Sequence, residues 1–320
     1  MACLKIDSRL ILKYLKMNIK KLICLGFIWV VIISLKAQDN LENMLNAEVG
    51  EETNYVSATF KATRIMNGQS IERMPQGQMD LRIHHRFGKV NTGLYNYYGL
   101  DQATNHISVE YGITNWVMVG IGREFGTQEK NVDGFAKFSL WRQCSGAKKM
   151  PVSISWFSSV TQRTAEYATN NHYYPFSTRF TYVNQLLVAR KFNNWLSFQL
   201  TPTHIHYNLI DIKYEPNSNK IDPNDLFSVG AGGRVKLTQR LSINAEYYYV
   251  YRTSAMSDFR DPLSIGIDIE TGGHVFQLIF SNTDAMIEKN FIGRTSGQWS
   301  KRDIHFGFNI SRVFDINHHK

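Results

Sequence analysis

The sequence predicts an all-β fold, a transmembrane antiparallel up-and-down β-barrel of about 12 strands. Three observations predict it. Apolar side chains recur at every second position through most of the chain, long and short connections alternate, and tryptophans begin strands directly after short turns. A period of two is typical of strands with one apolar face. Short turns at one end and long loops at the other are typical of barrels in the bacterial outer membrane.

The N-terminal part of the chain has the pattern of an export signal. Residues 22–35 form the one long apolar run, LICLGFIWVVIISL, with lysines before it and the small residue Ala37 after it. This combination predicts a secretory signal peptide that is cleaved before Gln38. Residues 1–37 are therefore predicted to be an upstream extension plus the signal, and an N-terminal membrane anchor is the alternative.

Removal of this segment changes the charge of the chain. Of the 36 Lys and Arg and the 27 Asp and Glu, residues 1–37 hold seven and one, so the remainder has 29 and 26 and a net charge of +3. A chain so close to neutral gives little reason to expect nucleic acid as a partner. Cys144 alone remains after the loss of Cys3 and Cys24, which predicts neither an internal disulfide nor a cysteine metal site.

Residues 38–78 precede the first predicted spanning strand. Val56, Ala58 and Phe60 alternate well with polar residues, but a spanning strand at 55–65 would make the strand count odd. An even count returns both ends of the barrel to the same side of the membrane. We therefore predict that residues 38–78 are a periplasmic or plug segment. A barrel of about 14 strands, with one further strand unrecognised, is the alternative.

The barrel itself is predicted over residues 79–316. Its first strand, residues 79–87, has apolar residues on one face and charged or histidine residues on the other. The same alternation recurs in later strands, whose predicted lipid-facing residues include Val117, Val119, Ile121, Leu241, Ile243, Ile265 and Ile267. These strands are long enough to cross a bilayer when tilted.

The connections set the topology. Short turns are predicted at 113–115, 191–194, 237–240 and 271–273, with a slightly longer one at 143–150. Long loops are predicted between them at 88–105, 126–133, 162–177, 208–226, 252–261 and 282–302. Trp116 and Trp195 directly follow short turns, where an aromatic girdle is expected at the periplasmic interface.

The polar faces of the strands are predicted to line the lumen. The charged and histidine residues expected there are Asp80, Arg82, His84, Arg86, Glu110, Arg234, Lys236, Glu246, Asp268 and Glu270. Opposite charges in a narrow barrel are expected to pair and stiffen it, because an unpaired buried charge is costly. A selectivity filter is the alternative role, because rings of charge also line pores.

No catalytic motif is present. The sequence lacks G-x-S-x-G, H-E-x-x-H and the phosphate-binding G-x-x-x-x-G-K-[ST]. The glycine-rich GAGG at 230–233 lies inside a predicted strand, where it is expected to leave space for close packing. The sequence therefore predicts no catalytic residue and no cofactor.

One histidine pair is a candidate metal site. The stretch THIHYN places His204 and His206 two residues apart on one strand face, an arrangement that can chelate a metal. Pro202 predicts a bulge that would turn the pair from the lipid side toward the lumen or the mouth. A third ligand is not identifiable, so the alternative is a solvated pair near the external rim.

Three segments resemble an uncharacterised family of bacterial outer-membrane β-barrel proteins, known as a domain of unknown function. They are ATFKATRIMNGQSIERMPQGQMDLRIHHRFGKVNTG (58–93), YGLDQATNHISVEYGITNWVMVGIGR (98–123) and ETGGHVFQLIFSN (270–282). The resemblance implies a barrel in the outer membrane and brings no catalytic or ligand residues. The chain departs from a common barrel-assembly signal, a terminal aromatic, because DINHHK follows Phe314.

These observations place the chain in the bacterial outer membrane, with outer-membrane lipid, the barrel-assembly machinery and a small solute as expected partners. The leading hypothesis is a non-catalytic channel or small-solute transport or binding protein with a polar lumen. A non-conducting structural or docking barrel, with residues 40–65 as plug or partner segment, is second, and an envelope enzyme is third. A continuous water path would favour the first and a packed lumen the second.

Overall fold

The computed structural model describes residues 52–126, 129–166, 174–210, 223–252, 256 and 258–316. The strands in this part of the chain are β1 (Thr53–Tyr55), β2 (Gln78–Lys89), β3 (Ala103–Gly112), β4 (Val117–Phe125), β5 (Asn131–Trp141), β6 (Cys144–Gly146), β7 (Ser153–Arg163), β8 (Phe180–Lys191), β9 (Leu196–Tyr207), β10 (Asp225–Lys236), β11 (Leu241–Tyr251), β12 (Leu263–Thr271), β13 (His274–Ser281) and β14 (His305–Asp315). Helical segments are α1 (Glu288–Gly293) and the 3-10 turns Val90–Thr92, Leu94–Gly99, Phe176–Arg179 and Trp299–Lys301. No helix of the described residues is long and apolar enough to cross a membrane. The predicted signal lies outside the described residues.

Twelve of the described strands, β2 to β5 and β7 to β14, form a closed antiparallel barrel in chain order. The last strand returns to the first, with Phe308 of β14 opposite His85 of β2. Closure gives every strand two neighbours, so no edge is left with unpaired backbone groups in lipid. The predicted 12-strand barrel is confirmed. The alternative of 14 spanning strands is wrong, because the two remaining described strands, β1 and β6, pair only with each other.

The chain divides into two compact units. The smaller contains residues 1–54 and 144–149, and its described residues are 52–54 and 144–149, which include strand β6. The larger contains residues 55–143 and 150–320 and includes the complete barrel. All of the sites described below lie within the larger unit.

Alternation along the strands gives the barrel an apolar outer face. Ile243 of β11 lies opposite Ile267 of β12, which lies opposite Leu278 of β13, and all three point outward. Their exposed fractions are 40%, 39% and 39%, and equally exposed aromatic and aliphatic residues continue around the barrel. A continuous apolar surface of this kind is stable against lipid and not against water.

The connections alternate in length, as predicted. Turns of two to four residues join β3 to β4, β8 to β9, β10 to β11 and β12 to β13 at one end, here called the short-turn end. Trp116 and Trp195 lie at this end and are 58% and 55% exposed. The opposite end is here called the long-loop end. One predicted loop, 126–133, is shorter than expected, because Asn131 and Asp133 belong to β5 and make hydrogen bonds inside the barrel.

The outer face yields a prediction about stability in lipid. Ile267→Arg places a charge in the middle of β12 and should lower the free energy of unfolding in lipid vesicles by about 2–4 kcal/mol. Leu237→Arg, in the turn at the membrane edge, is the matched control and should cost about 0–1 kcal/mol. Denaturant titration of the refolded variants measures both. Equal and small losses for the two variants would contradict a lipid-facing β12.

Candidate functional site

The inner wall of the barrel carries the polar residues that the sequence singles out. Eight of them are buried at 4% exposure or less and face the interior: Asp80, Arg82, His84, Arg86, Glu110, Arg234, Glu246 and Asp268. Lys236 and Glu270 are half-buried near the short-turn end. Asp80 and Arg82 pair at 2.8 Å, as expected for opposite charges on one strand face. The wall is therefore charged, and part of its charge is neutralised internally.

Residues 58–74, here called the plug hairpin, occupy the lumen. The chain rises from the short-turn end, turns at Met66–Gly68 and returns to the start of β2. Arg64 pairs with Gln69 in an antiparallel bridge, and the Ile65 N–H donates to the Gly68 carbonyl at 2.8 Å. Thr63 to Ser70 are all buried. The segment 55–65 is thus not a spanning strand but the first leg of this hairpin, and the second leg, which ends at residue 74, also lies within the predicted 38–78 segment.

The tip of the plug hairpin is held by one carboxylate. Glu246 of β11 accepts hydrogen bonds from the backbone N–H groups of Asn67 at 2.7 Å, Gly68 at 3.1 Å and Met66 at 3.4 Å. Successive backbone N–H groups that converge in a turn form a concave site for an anion. A carboxylate in this position satisfies three donors that would otherwise be buried without partners.

A glycine is required at the tip. A Cβ atom on Gly68 would lie 2.0 Å from the hydroxyl oxygen of Tyr248, which is buried on the same strand as Glu246. Two wall glycines make similar room, since a Cβ on Gly232 would meet Ile65 at 2.4 Å and one on Gly266 would meet the sulfur of Met66 at 2.4 Å. Within the GAGG stretch, Gly232 therefore leaves the space that Ile65 of the plug hairpin occupies.

Wall amides, a hydroxyl and a guanidinium also contact the tip. Four hydrogen bonds, written from donor to acceptor, make these contacts: Arg86 Nη2 to Asn67 Oδ1 at 2.6 Å, Asn309 Nδ2 to the Met66 carbonyl at 2.9 Å, Gln277 Nε2 to the Ile65 carbonyl at 2.9 Å and Asn67 Nδ2 to Ser264 Oγ at 3.0 Å. Each pairs a strand side chain with a group of the turn. The tip is therefore fixed from β2, β11, β12, β13 and β14 at once.

The legs of the plug hairpin are held by wall cations. Lys137 of β5 donates to the carbonyls of Ser70 at 3.0 Å and Glu72 at 2.9 Å. Arg234 of β10 donates to the carbonyls of Ala58 at 2.9 Å and Thr59 at 3.2 Å. Charged donors make stronger hydrogen bonds than neutral ones. Backbone carbonyls in the lumen are thereby satisfied without a partner strand.

An apolar cluster backs one side of the plug hairpin. Phe60, Ile65, Ile71 and Met74 of the hairpin pack against wall residues that also point inward. These wall residues are Met118, Phe135, Phe157, Leu187 and Ala189. These five wall residues are not among those that the sequence predicts to line the lumen. The sequence feature that could have identified them is their apolar character, on the strand face that the alternation assigns to the interior.

A second segment fills the lumen from the long-loop end. Residues 282–304, here called the inner loop, connect β13 to β14, and every residue of helix α1 within them is buried. Phe291 and Ile292 pack with Val183, Ile205 and Leu226 of the wall. The sequence predicts this segment as an external loop, which is wrong for residues 285–293. The apolar residues of AMIEKNFIG drive them inward.

The plug hairpin and the inner loop meet inside the barrel. Arg64 lies 3.1 Å from the carboxylate of Glu288, and Gln69 Nε2 donates to the same carboxylate at 3.2 Å. Arg64 also lies 3.5 Å from Glu110 of β3. Arg64, Gln69 and Glu288 are at most 4% exposed. The lumen is therefore closed at this level by contacts between the two segments.

A carboxylate at the long-loop end of the barrel anchors the inner loop. Glu129, between β4 and β5, accepts from Lys289 at 2.8 Å and from Arg294 at 2.8 Å. Burial opposes ionisation of Glu129, but the charges of Lys289 and Arg294 outweigh it and lower its pKa to about 2. The pairs therefore remain ionised over the whole neutral and mildly acidic range.

The two predicted metal candidates lie elsewhere. His204 and His206 remain on the outer face because the β8–β9 and β9–β10 registers continue through Pro202 without a shift, so the predicted bulge is absent. Both rings contact one carboxylate oxygen of Asp225 at 2.8 Å. Among the described residues no three His, Cys, Asp or Glu side chains are arranged to hold a metal ion. The shared contact with Asp225 accounts for the position of both histidine side chains.

The tip contacts yield a prediction. Glu246→Gln removes the negative charge that accepts three backbone N–H groups, and a hydrogen bond to a charged group contributes about 1.5–3 kcal/mol. Amide hydrogen exchange of residues 66–68 should then accelerate by about 10- to 150-fold. Ser242→Ala, on the inner face of the same strand, is the control, because Ser242 has no hydrogen-bond partner among the described residues. Unchanged exchange in Glu246→Gln would show that this carboxylate does not hold the hairpin.

The anchor of the inner loop predicts a pH dependence. Because the folded-state pKa of Glu129 lies near 2, below the ordinary value of 4.5, its stabilising contribution is present above about pH 4.5 and is lost as the pH falls toward 2. Hydrogen exchange of residues 288–293, corrected for intrinsic rates, should therefore accelerate across that interval. Glu129→Gln should show the acid-like exchange already at pH 7 and lose the dependence. A wild-type profile that matches Glu129→Gln at every pH would contradict the anchor.

Comparison with known proteins adds the family. The family model described as "Membrane bound beta barrel domain (DUF5777)" matches residues 60–314 of this chain. That range begins inside the plug hairpin and includes the inner loop. The comparison with curated proteins finds no match.

Several solved structures are similar to this chain at low sequence identity. The NanC porin is 7% identical and covers 73% of this chain and 98% of its own, with a TM-score of 0.47. The KdgM porin in complex with disordered oligogalacturonate is 9% identical and covers 74% and 99%, with a TM-score of 0.45. Outer membrane protein Omp33 of Acinetobacter baumannii is 9% identical and covers 75% and 100%, with a TM-score of 0.38. The family match spans most of the chain and agrees with the closed barrel and its apolar outer face, so this chain belongs to the membrane-bound β-barrel family DUF5777.

Proposed function

We propose that this protein is a non-catalytic outer-membrane channel for small polar solutes, closed in this structure by the plug hairpin and the inner loop. The short turns then lie in the periplasm and the long loops outside. Outer-membrane lipid surrounds the apolar outer face, and the barrel-assembly machinery inserts the chain. Of these partners, the solute is the one that enters the lumen.

The observation that carries this proposal is a wall more polar than the plug requires. His84, Ser108, Ser228 and Ser242 are buried on the inner face, yet their side chains have no hydrogen-bond partner among the described residues. A buried polar group without a partner costs about 1–3 kcal/mol. A lumen that stays filled would be more stable with apolar side chains at these positions, whereas a lumen that opens to water is stabilised by polar ones.

The contacts of the plug hairpin fit a reversible closure. Its backbone is bound mainly by side chains of the wall, such as Glu246, Lys137 and Gln199, and not by strands of the barrel. Water can replace each of these hydrogen bonds when the hairpin leaves. The twelve-strand ladder does not depend on the hairpin, so withdrawal toward the periplasm leaves the barrel closed on itself.

The second candidate is a non-conducting structural or docking barrel. The packed lumen favours it, because the plug hairpin and the inner loop meet through Arg64 and Glu288 with both side chains buried. In this function the hairpin is a permanent core of the barrel. The two candidates differ in whether ions pass when the hairpin and the inner loop are both absent.

Single-channel recording distinguishes these candidates. Replacement of residues 58–74 and of residues 285–293 by short Gly-Ser linkers, in one linker variant, should give steady ohmic current steps in a planar lipid bilayer, because both segments that fill the lumen are then removed. The intact chain should be mostly silent with rare openings, and Glu246→Gln should open more often than the intact chain. Ile243→Val, on the outer face of the same strand, is the control and should match the intact chain.

The result that would contradict the channel is silence of the linker variant. Its correct folding is checked by heat-dependent migration in gels and by a β-rich circular dichroism spectrum. A folded and silent linker variant would support the docking barrel. A fully conducting intact chain would show that the hairpin does not close the lumen.

A further inference from the structure

A cavity of about 240 Å³ lies at the short-turn end, beside the base of the plug hairpin. Both legs of the hairpin line it, through residues 58–59 and 71–73, and the adjoining Val56, Ser57 and Pro75 complete that side. The wall contributes the β3–β4 turn, the end of β5 and the start of β7, through Asn115, Ser139, Arg142 and Ser153. This volume holds several water molecules or a small solute. It is here called the mouth cavity.

Two guanidinium groups line the mouth cavity. Arg73 of the hairpin donates from Nε to the Asn115 carbonyl, and its two Nη atoms make no hydrogen bond to a described residue. The guanidinium of Arg142 lies over the ring of Tyr55 at 4.6 Å and makes no hydrogen bond to a described residue. Neither group forms an ion pair within the described part of the chain. Two arginines are therefore oriented by their neighbours while most of their donors stay unused.

The electrostatic environment of these arginines favours an anion. Burial lowers the pKa of Arg73, and the positive charge of Arg142 lowers it further. Glu72 is the one carboxylate in the lining, and one of its oxygens accepts the Phe60 N–H at 3.2 Å. A negative ligand would relieve the repulsion between Arg73 and Arg142.

The remaining lining groups are suited to oxyanions. The Asn115 amide and the hydroxyl groups of Ser139 and Ser153 are donors on the wall side of the cavity. The planar fork of an arginine matches the geometry of a carboxylate or a phosphate. Two such forks with hydroxyl and amide donors beside them form a site that neutral or cationic solutes would not match.

We propose that the mouth cavity binds a small soluble oxyanion, with a carboxylate or phosphate group held between Arg73 and Arg142. Because Arg73 belongs to the plug hairpin and Arg142 to the wall, a bound anion joins the base of the plug to the barrel. If the proposed channel function holds, the site makes anionic solutes the transported class. The binding itself does not depend on conduction.

Isothermal titration calorimetry tests the site on the full chain refolded in a non-ionic, phosphate-free detergent. Inorganic phosphate and citrate are the anionic probes, and choline is the cationic one. Arg73→Gln and Arg142→Gln should each weaken anion binding at least tenfold, because each removes a charge-assisted pair of hydrogen bonds. Arg240→Gln, an exposed arginine in the β10–β11 turn outside the cavity, is the matched control and should leave affinity within about twofold of the wild type.

Each outcome of this titration decides the proposal. Anion binding that falls in Arg73→Gln and Arg142→Gln, is unchanged in Arg240→Gln and weakens with added NaCl supports the site. No binding by the wild type, equal loss in Arg240→Gln, or equal affinity for choline overturns it. Binding to vesicles of phosphatidylglycerol but to neither soluble anion would assign the arginines to a lipid headgroup and would also overturn it. Channel silence with intact anion binding would reject the channel alone.

Discussion

The carboxylate of Glu246 is the interaction on which the arrangement of the lumen depends. It accepts three consecutive backbone N–H groups at the tip of the plug hairpin, 66–68, from the middle of strand β11. A hairpin inside a barrel has no neighbouring strand for its backbone, so side chains must supply the missing partners. Glu246 does so for the donors, and Lys137, Arg234, Gln277 and Asn309 do so for the carbonyls. The charged inner wall is thus the complement of an unpaired backbone.

Two solvents act on opposite faces of the same strands. Lipid requires apolar side chains outside and a closed ladder of backbone hydrogen bonds, which fixes the period of two and the twelve-strand ring. The interior has no such uniform requirement, so β5 and β7 place Phe135 and Phe157 inward, against Phe60 of the plug hairpin, while β2 and β11 place Arg86 and Glu246 there. The plug hairpin and the inner loop lie across these two kinds of wall and meet where Arg64 contacts Glu288.

Sequence alone predicted the barrel because alternation is a local property of each strand. The outward residues, the short turns and the charged inner positions all follow from parity along the chain, as Ile243 and Glu246 illustrate. The return leg of the plug hairpin and the inward fold of α1 did not follow, because both depend on contacts between residues far apart in sequence, such as Asn67 with Ser264 and Gln69 with Glu288. The bulge predicted at Pro202 is wrong for a related reason. Strand β9 keeps its register with both β8 and β10 through this residue, and that pairing cannot be read from the local sequence.

The central claim is that the plug hairpin fills the lumen, and thiol accessibility tests it most directly. In a background with Cys3, Cys24 and Cys144 replaced by Ser, Met66→Cys places a thiol at a position with 0% exposure inside the barrel, and Gln76→Cys places one at an exposed position beside the short-turn end. A membrane-impermeant maleimide added to both sides of proteoliposomes should label Gln76→Cys rapidly and leave Met66→Cys unlabelled until the protein is denatured. Equal and rapid labelling of the two thiols in the folded protein would contradict the account.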